Sequence, residues 1–397
     1  MQKITTQINK RIELPNKLQV ERCRAAPHLG PKILFFSGGN ALRELSKKLK
    51  DFTHNSIHIV TPFDSGGSSA KLRKSFNIPA LGDIRNRLMA LADQSITGNP
   101  EIYSLFAHRL PLHLPRQELL QELEQMVNGN HELVYNIPEP TCKIIIRYLD
   151  FFLQNMPADF DPSGASIGNL LLTGGYLEHE FQIDTVIYIF SKLVEARGTV
   201  RPVVNRDLHL ITELENGETL WGQHLLTGKQ TAAIQSKVKN IYLSKEIPEP
   251  EEVETSEKLR SLISQADLIC FPMGSFFSSL IANLLPKGVG STIARTKSPK
   301  IFIPNTYYDP ECYGLSINEQ VKTLLQYLQK DLSSTGKNKN LINYILLDQN
   351  LNRYNGAIDF DMLQDLNIEI LQHELVTPNS EPGIDPERIK EILLSLA

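Results

Sequence analysis

Cysteine is scarce in this chain. Cys23, Cys142, Cys270 and Cys312 are the four in 397 residues, and no two form a C-x-x-C pair. That excludes a disulfide scaffold and a cysteine-based zinc site, and it makes Cys270, inside ADLICF, a reduced core residue. The histidines have neither H-E-x-x-H nor paired-ligand spacing, so His54, His58, His108, His113, His179, His209 and His224 read as surface or structural residues. No run approaches the roughly 20 apolar residues of a membrane span. The start, MQKITTQINKRIELPNK, lacks the apolar core of a signal peptide, so a cytoplasmic protein without membrane contact is expected. Charge of one sign is not in excess: the formal net charge is −4, with 22% charged and 41% hydrophobic residues. Bulk attraction to nucleic acid is therefore not expected. Also missing are the common nucleotide fingerprints. SGGNAL is neither G-x-G-x-x-G nor G-x-x-x-x-G-K-[ST], and no G-x-S-x-G elbow accompanies Ser68, Ser69 or Ser275.

What is present is an alternation of short apolar runs with amphipathic segments. ILFF precedes a glycine turn and ALRELSKKLK, whose leucines have helical spacing; SIHIV is a second strand, and LGDIRNRLMALAD a second helix. This opens a doubly wound, mostly parallel sheet. Residues 1–30 read as an N-terminal extension and 31–375 as a Rossmann-like domain. Within it, 110–163 form a helical insertion, perceived as a small cap and built from PRQELLQELEQMV and TCKIIIRYLDFFLQNM. From Gly198 to Leu243 the pattern becomes β-rich, with a hairpin at Asn216-Gly217. DLICF, KIFIPN and NYILLD are further strands. Residues 376–397 form a tail ending in a helix with Asp385 near its N-cap and Pro386 at its first position.

Three loops of small polar residues follow apolar strands: SGGN (37–40), FDSGGSS (63–69) and PMGSFFSS (272–279). In an open parallel sheet, ligands bind at the carboxyl ends of strands, and glycines let amides approach a phosphate. Each loop can also be an ordinary βα turn. Asp64, in the second loop, and Asp83, at the next helix start, can face one crevice and hold Mg²⁺ together with phosphate oxygens. Alternatively Asp64 forms a turn and Asp83 an N-cap. Arg85 and Asn86 either reach a phosphate or lie on a solvated helix face. Trp221 and the pair Tyr307-Tyr308 read as packing residues rather than a stacking platform.

The order SGGNAL, IVTPFDSGGSSAKLRKSF, IPALGDIRNRLMALAD, SLFAHRL, SIGNLLLTGGYL, ARGTVRPVV, ADLICFPMGSFFSSLIANLLPKGV and KIFIPN resembles the CofD-like superfamily. That superfamily unites 2-phospho-L-lactate transferase with YvcK-like gluconeogenesis factors, and the motifs are closer to the second branch. The resemblance implies a Rossmann-like fold, a homodimer, and a nucleoside diphosphate ester or nucleotide-sugar ligand. It implies phosphate or nucleotide contacts from Gly38, Gly39, Asn40, Gly66, Gly67, Ser68, Ser69, Arg85, Asn86, Asn169, Gly274 and Ser275, with Asp64 and Asp83 as catalytic residues and Mg²⁺ ligands. The first expected function is transfer of a phospho-linked group to a hydroxyl acceptor; the second is non-catalytic sensing of a UDP-sugar. Three departures stand out: the family's first loop, commonly G-G-T-G, reads Gly38-Gly39-Asn40-Ala41 here. The family's usual D-D pair reads Asp64-Ser65, and its G-S-L-Y-T-S reads Gly274-Ser275-Phe276-Phe277-Ser278-Ser279.

Overall fold

The computed structural model describes residues 13–95, 98–228, 232–245, 249–332 and 340–397. Residues 1–12 of the expected extension lie outside them. The strands are β1 (Ile33–Ser37), β2 (Ile57–Val60), β3 (Thr199–Pro202), β4 (His209–Leu214), β5 (Thr219–Trp221), β6 (Val238–Ser244), β7 (Leu268–Phe271), β8 (Lys300–Phe302), β9 (Tyr344–Asp348) and β10 (Glu369–His373). Seven of them form a parallel sheet in the order β10-β9-β8-β7-β1-β2-β3. Helices cover both faces of such a sheet, so its inner strands read as unbroken apolar runs rather than alternating ones. Accordingly, every residue of β1, β2 and β7 is buried.

The order of strands reverses direction between β1 and β7. Chain segments leave β1 toward β2 and β3 on one side, and return to β7 and then β8 to β10 on the other. A crevice is left outside the carboxyl ends at such a switch point. The three small-residue loops follow β1, β2 and β7, the strands that flank it.

A separate antiparallel sheet, β5-β4-β6, contains the expected hairpin, with Gly217 at φ 88° in its turn. The expected insertion supplies the helices Arg116–Val127 and Thr141–Asn155, with a short helix Glu132–Tyr135 between them. Its residues Leu119, Leu123, Ile145 and Phe152 share one core with Leu170 and Leu171 of the helix Ile167–Glu178. The helices Thr141–Asn155 and Ile167–Glu178 cross closely enough that a Cβ on Gly174 would stand 1.9 Å from the Tyr148 carbonyl oxygen. The insertion is therefore part of the packed body. Read from the sequence as a cap, it contributes no residue to the cleft described below.

At the other side, the helices Lys17–Ala25 and Pro386–Leu396 pack together, and Val20, Cys23, Ile389 and Leu393 join Ile33 and Phe35 of β1 in one cluster. The Asn16 amide donates to Ser395 Oγ at 2.7 Å.

Some elements differ from the sequence reading. The last three residues of the loop read at 63–69 form the first turn of a helix, Gly67–Phe76. The helix Val289–Arg295 and the strand β10 carry no clear sequence signal; β10 is half-buried to exposed throughout and lacks the apolar run that marks the inner strands.

Candidate functional site

The three loops converge. A cleft of about 720 Å³ is lined by every residue that the sequence reading put forward: Gly38, Gly39, Asn40, Asp64, Gly66, Gly67, Ser68, Ser69, Asp83, Arg85, Asn86, Asn169, Gly274 and Ser275. Its floor is made where β1 ends in Ser37 and the chain passes Gly38 and Gly39. A Cβ on Gly39 would stand 2.3 Å from Asp83 Oδ1, and one on Gly38 would be 2.6 Å from Ser279 Oγ and 3.4 Å from Asp83 Oδ2. Side chains are thus excluded here, because the loop backbone rests directly on the Asp83 carboxylate.

Asp83 is nearly buried, at 9% exposure, and occupies the first turn of the helix Gly82–Leu91. It is not the N-cap, which is Leu81. One turn on, Arg87 is fully buried. It donates to Ser46 Oγ at 2.6 Å, to Ser37 Oγ at 3.3 Å and to the Gly38 carbonyl at 2.8 Å. Burial lowers the Arg87 pKa to about 10, opposed by the charge of Asp83. Asp83 and Arg87 together anchor the first glycine loop from below.

The second loop has a different design. The Gly66 amide donates to Asp64 Oδ1 at 3.1 Å, so Asp64 does form the turn. Gly66 is the N-cap of the helix Gly67–Phe76, and no side chain caps that helix. Gly67 follows at φ 49°, a left-handed conformation that curls successive amides toward one point, as in an anion nest. The first-turn amides at 67–69 have no intrahelical acceptor and carry the positive end of the helix dipole. From the far end of the same helix, Arg73 reaches back and donates to the Phe63 and Asp64 carbonyls at 3.3 and 3.2 Å. It pairs with Asp207, which fixes the loop against the β-rich segment.

Arg85 lies on the cleft wall between these loops. Its Nη2 donates to Asn86 Oδ1, while Nε and Nη1 are shielded from solvent and have no hydrogen-bond partner among the described residues. Burial lowers its pKa to about 10, and the neighbouring cations Arg109 and Arg43 add to the shift. A Cβ on Gly168 would stand 2.9 Å from Arg85 Cδ, so that glycine makes room for the arginine stem. Asn169, next in chain, donates to Ser68 Oγ at 3.3 Å and links the S-x-G-N turn to the glycine-serine loop. This side of the cleft is rich in donors and positive charge.

The third loop is the reverse. The Gly274 amide donates to Asn305 Oδ1 at 2.8 Å and the Phe276 amide to Asp309 Oδ2 at 2.9 Å. Those of Phe277 and Ser278 both donate to Glu311 Oε2 at 2.8 Å. Of the two residues that the sequence reading assigned to phosphate at this loop, Gly274 already gives its amide to Asn305, and the amides that follow Ser275 serve the carboxylates of Asp309 and Glu311. Glu311 is 1% exposed. Burial, and then the charge of Asp309, push its pKa up from 4.5 to about 7, against the Ser278 and Phe277 donors.

A carboxyl group whose folded pKa is raised stabilises the fold fully below the unfolded value, and that contribution disappears as pH rises through the folded value. We expect the wild type to lose stability relative to Glu311→Gln as pH rises from about 5 to about 8. Urea denaturation of both proteins at the two pH values measures it; a difference that does not change with pH contradicts the assignment.

Several lining residues escaped the sequence reading. Tyr307 and Tyr308, read as packing residues, are 48% and 64% exposed and line the cleft. His224, read as surface or structural, also lines it, with Nδ1 2.8 Å from Ser65 Oγ, so the residue replacing the family's second acid carries a histidine contact instead. Arg109, in SLFAHRL, has a spacing that offers no signal, and only the fold brings it beside Arg85.

The chain is similar to proteins called gluconeogenesis factor. That of Bacillus subtilis is 26% identical over 381 residues, covering 92% of this chain and 98% of the relative. The one from Halalkalibacterium halodurans is 28% identical over 299 residues, 74% of this chain and 73% of the relative. A crystal structure of a UPF0052-family protein from Bacillus halodurans superposes with a TM-score of 0.66 at 23% identity, over 92% of this chain and 99% of that one, and shares the fold. The family model described as 2-phospho-L-lactate transferase CofD matches residues 33–376, nearly the whole sheet with its loops, and the chain belongs to the CofD family.

Proposed function

We propose that the cleft binds a nucleoside diphosphate derivative by its phosphates, and that the chain acts as a non-catalytic nucleotide-sugar-binding regulator, a reading that its similarity to proteins called gluconeogenesis factor supports. The observation that carries the phosphate reading is Arg85: a guanidinium with two shielded, unpartnered donor atoms beside an uncapped helix N-terminus. Unsatisfied buried donors cost about 1–3 kcal/mol each, and a phosphate accepts charge-assisted hydrogen bonds from such a fork.

The second reading is transfer of a phospho-linked group with Mg²⁺. It is favoured by Asp64, whose Oδ2 lies 3.9 Å from where a Cβ on Gly82 would be, beside the helix that carries Asp83. No group of three or more metal-ligating side chains occurs among the described residues. Asp64 and Asp83 fit a Mg²⁺ that brings phosphate oxygens with it, since this ion often takes one or two carboxylates and completes its shell with phosphate and water. When bound, it would neutralise diphosphate charge and polarise the phosphoryl group. Asp83, however, already has the buried cation Arg87 as its charge partner. That weakens its claim as a metal ligand and ranks regulation first.

Calorimetric titration of GDP, UDP and UDP-sugars with and without Mg²⁺ separates the readings. Regulation predicts saturable binding of a UDP-sugar that Mg²⁺ changes by less than about threefold, because the donors are the protein's own. A Mg²⁺ requirement of about tenfold or more supports transfer. Absence of nucleotide binding overturns both.

A further inference from the structure

The parallel sheet has two edges, and they are built differently. At one end, β3 is four residues long, closes on Pro202 and carries Arg201, which is ion-paired with Asp184. A short strand with a proline and a charge is protected against further pairing. At the other end, β10 reads Glu-Ile-Leu-Gln-His over Glu369–His373, with no proline or lysine and no shift of register against β9. Among the described residues, no strand pairs with its outer side.

That outer side presents a fixed set of groups. The Glu369 amide donates to the Asn343 carbonyl at 2.8 Å, and the His373 carbonyl accepts from the Gln349 amide at 2.9 Å. Bonding residues alternate along a strand, so 369, 371 and 373 turn their backbone toward β9, while Ile370 and Gln372 turn N–H and C=O outward. The side chains alternate as well. Leu371 packs against the core cluster that holds Ile33 and Ile389, and Ile370 against the cluster on the other face, with Val321 and Leu324.

These groups complement a copy of themselves. About a two-fold axis at Leu371, an antiparallel neighbour sets Ile370 opposite Gln372 twice, and each pair exchanges both hydrogen bonds. The same register sets Glu369 opposite His373 of the second copy, on the Leu371 face. Such non-hydrogen-bonded pairs have Cα atoms about 4.5 Å apart and the closest side chains, so a carboxylate meets an imidazole at both ends of the junction. Moving the axis by one residue, to Ile370 or Gln372, destroys the match. Glu369, the one acid that could protect this edge, thus becomes a contact. Beside the Ile370 face, a groove of about 650 Å³ whose apolar walls are Leu325, Leu332, Met362 and Leu366 extends the surface beyond the five-residue strand.

We propose that β10 pairs with β10 of a second copy of this chain in that register, joining the seven strands of each copy into one continuous sheet. Antiparallel joining points the carboxyl ends of the two sets of strands in opposite directions. Three strands stand between β10 and β1, so both clefts stay open. The inference is independent of what the cleft binds.

Sedimentation equilibrium of the full chain tests it, with circular dichroism as the check that each variant keeps its fold. The wild type is expected to form dimers. Gln372→Pro removes an outward N–H and no bond to β9, and should weaken the dimer at least about tenfold. Glu369→Lys, at an exposed position, should weaken it about fivefold or more. Adding His373→Glu to Glu369→Lys restores the pair with its signs exchanged, and should return the dimer to within about threefold of the wild type. The charge exchange carries the test by itself if Gln372→Pro fails to fold. A wild type that stays monomeric, a dimer that neither Gln372→Pro nor Glu369→Lys weakens, or a double variant no stronger than Glu369→Lys overturns the proposal.

Discussion

Arg85→Met is expected to stabilise the ligand-free protein by about 1–2 kcal/mol while weakening nucleoside diphosphate binding at least about 100-fold. The two effects have one cause. In the ligand-free protein, Arg85 Nε and Nη1 are removed from water without an acceptor, and Arg109 and Arg43 add like-charge repulsion. Methionine fills a similar volume, removes the charge and leaves no donor unpaired. A bound phosphate, however, loses two charge-assisted hydrogen bonds, each worth about 1.5–3 kcal/mol. Such opposition between stability and function is common where a site holds a group in readiness for a ligand. Urea denaturation gives the first quantity and calorimetry the second. A destabilised variant with unchanged affinity would make Arg85 a structural residue.

Two positions along the same helix, the opposite result is expected. Arg87→Met should destabilise the protein by about 3–5 kcal/mol. Arg87 is fully buried and serves Ser46, Ser37 and the Gly38 carbonyl, so its removal strands three acceptors and leaves Asp83 without its cation. Arg87→Lys should not restore the loss, because one ammonium cannot reproduce a planar fork that spans both serines and a carbonyl. Since Asp83 and Arg87 act as a unit, Asp83→Asn combined with Arg87→Met should destabilise by less than the sum of the single changes. Denaturation midpoints of the three variants supply the cycle; simple additivity would mean that the two charges do not interact. The pair also cautions against reading activity loss in an Asp83 variant as proof of a metal ligand, because the glycine loop rests on that carboxylate.

Much of this was legible from sequence because of how parallel sheets are buried. The runs ILFF, IHIV and LICF are covered on both faces, so they stand out as strands, and the loops after them must lie at one edge. Glycine and serine at those positions then mark the cleft. Other features depend on contacts between distant segments. The Phe277 amide meets the Glu311 carboxylate 34 residues along the chain, so nothing local shows that the third loop is already occupied. The helix Gly67–Phe76 begins with the poorest ordinary helix former and two serines, which in isolation favour a turn. Tyr307 and Tyr308 look like core aromatics by type; only the path of the chain after β8 leaves them at the cleft mouth. Arg85 and Arg87 are indistinguishable in GDIRNRL, and the difference between them is which neighbours the fold supplies.

A crystal structure of the protein with UDP tests the central claim most directly. The account predicts the diphosphate between the Arg85 guanidinium and the amides at 67–69, with at least one phosphate oxygen within about 3.2 Å of an Arg85 guanidinium nitrogen. A diphosphate seated instead on the third loop, beside Asp309 and Glu311, would contradict it.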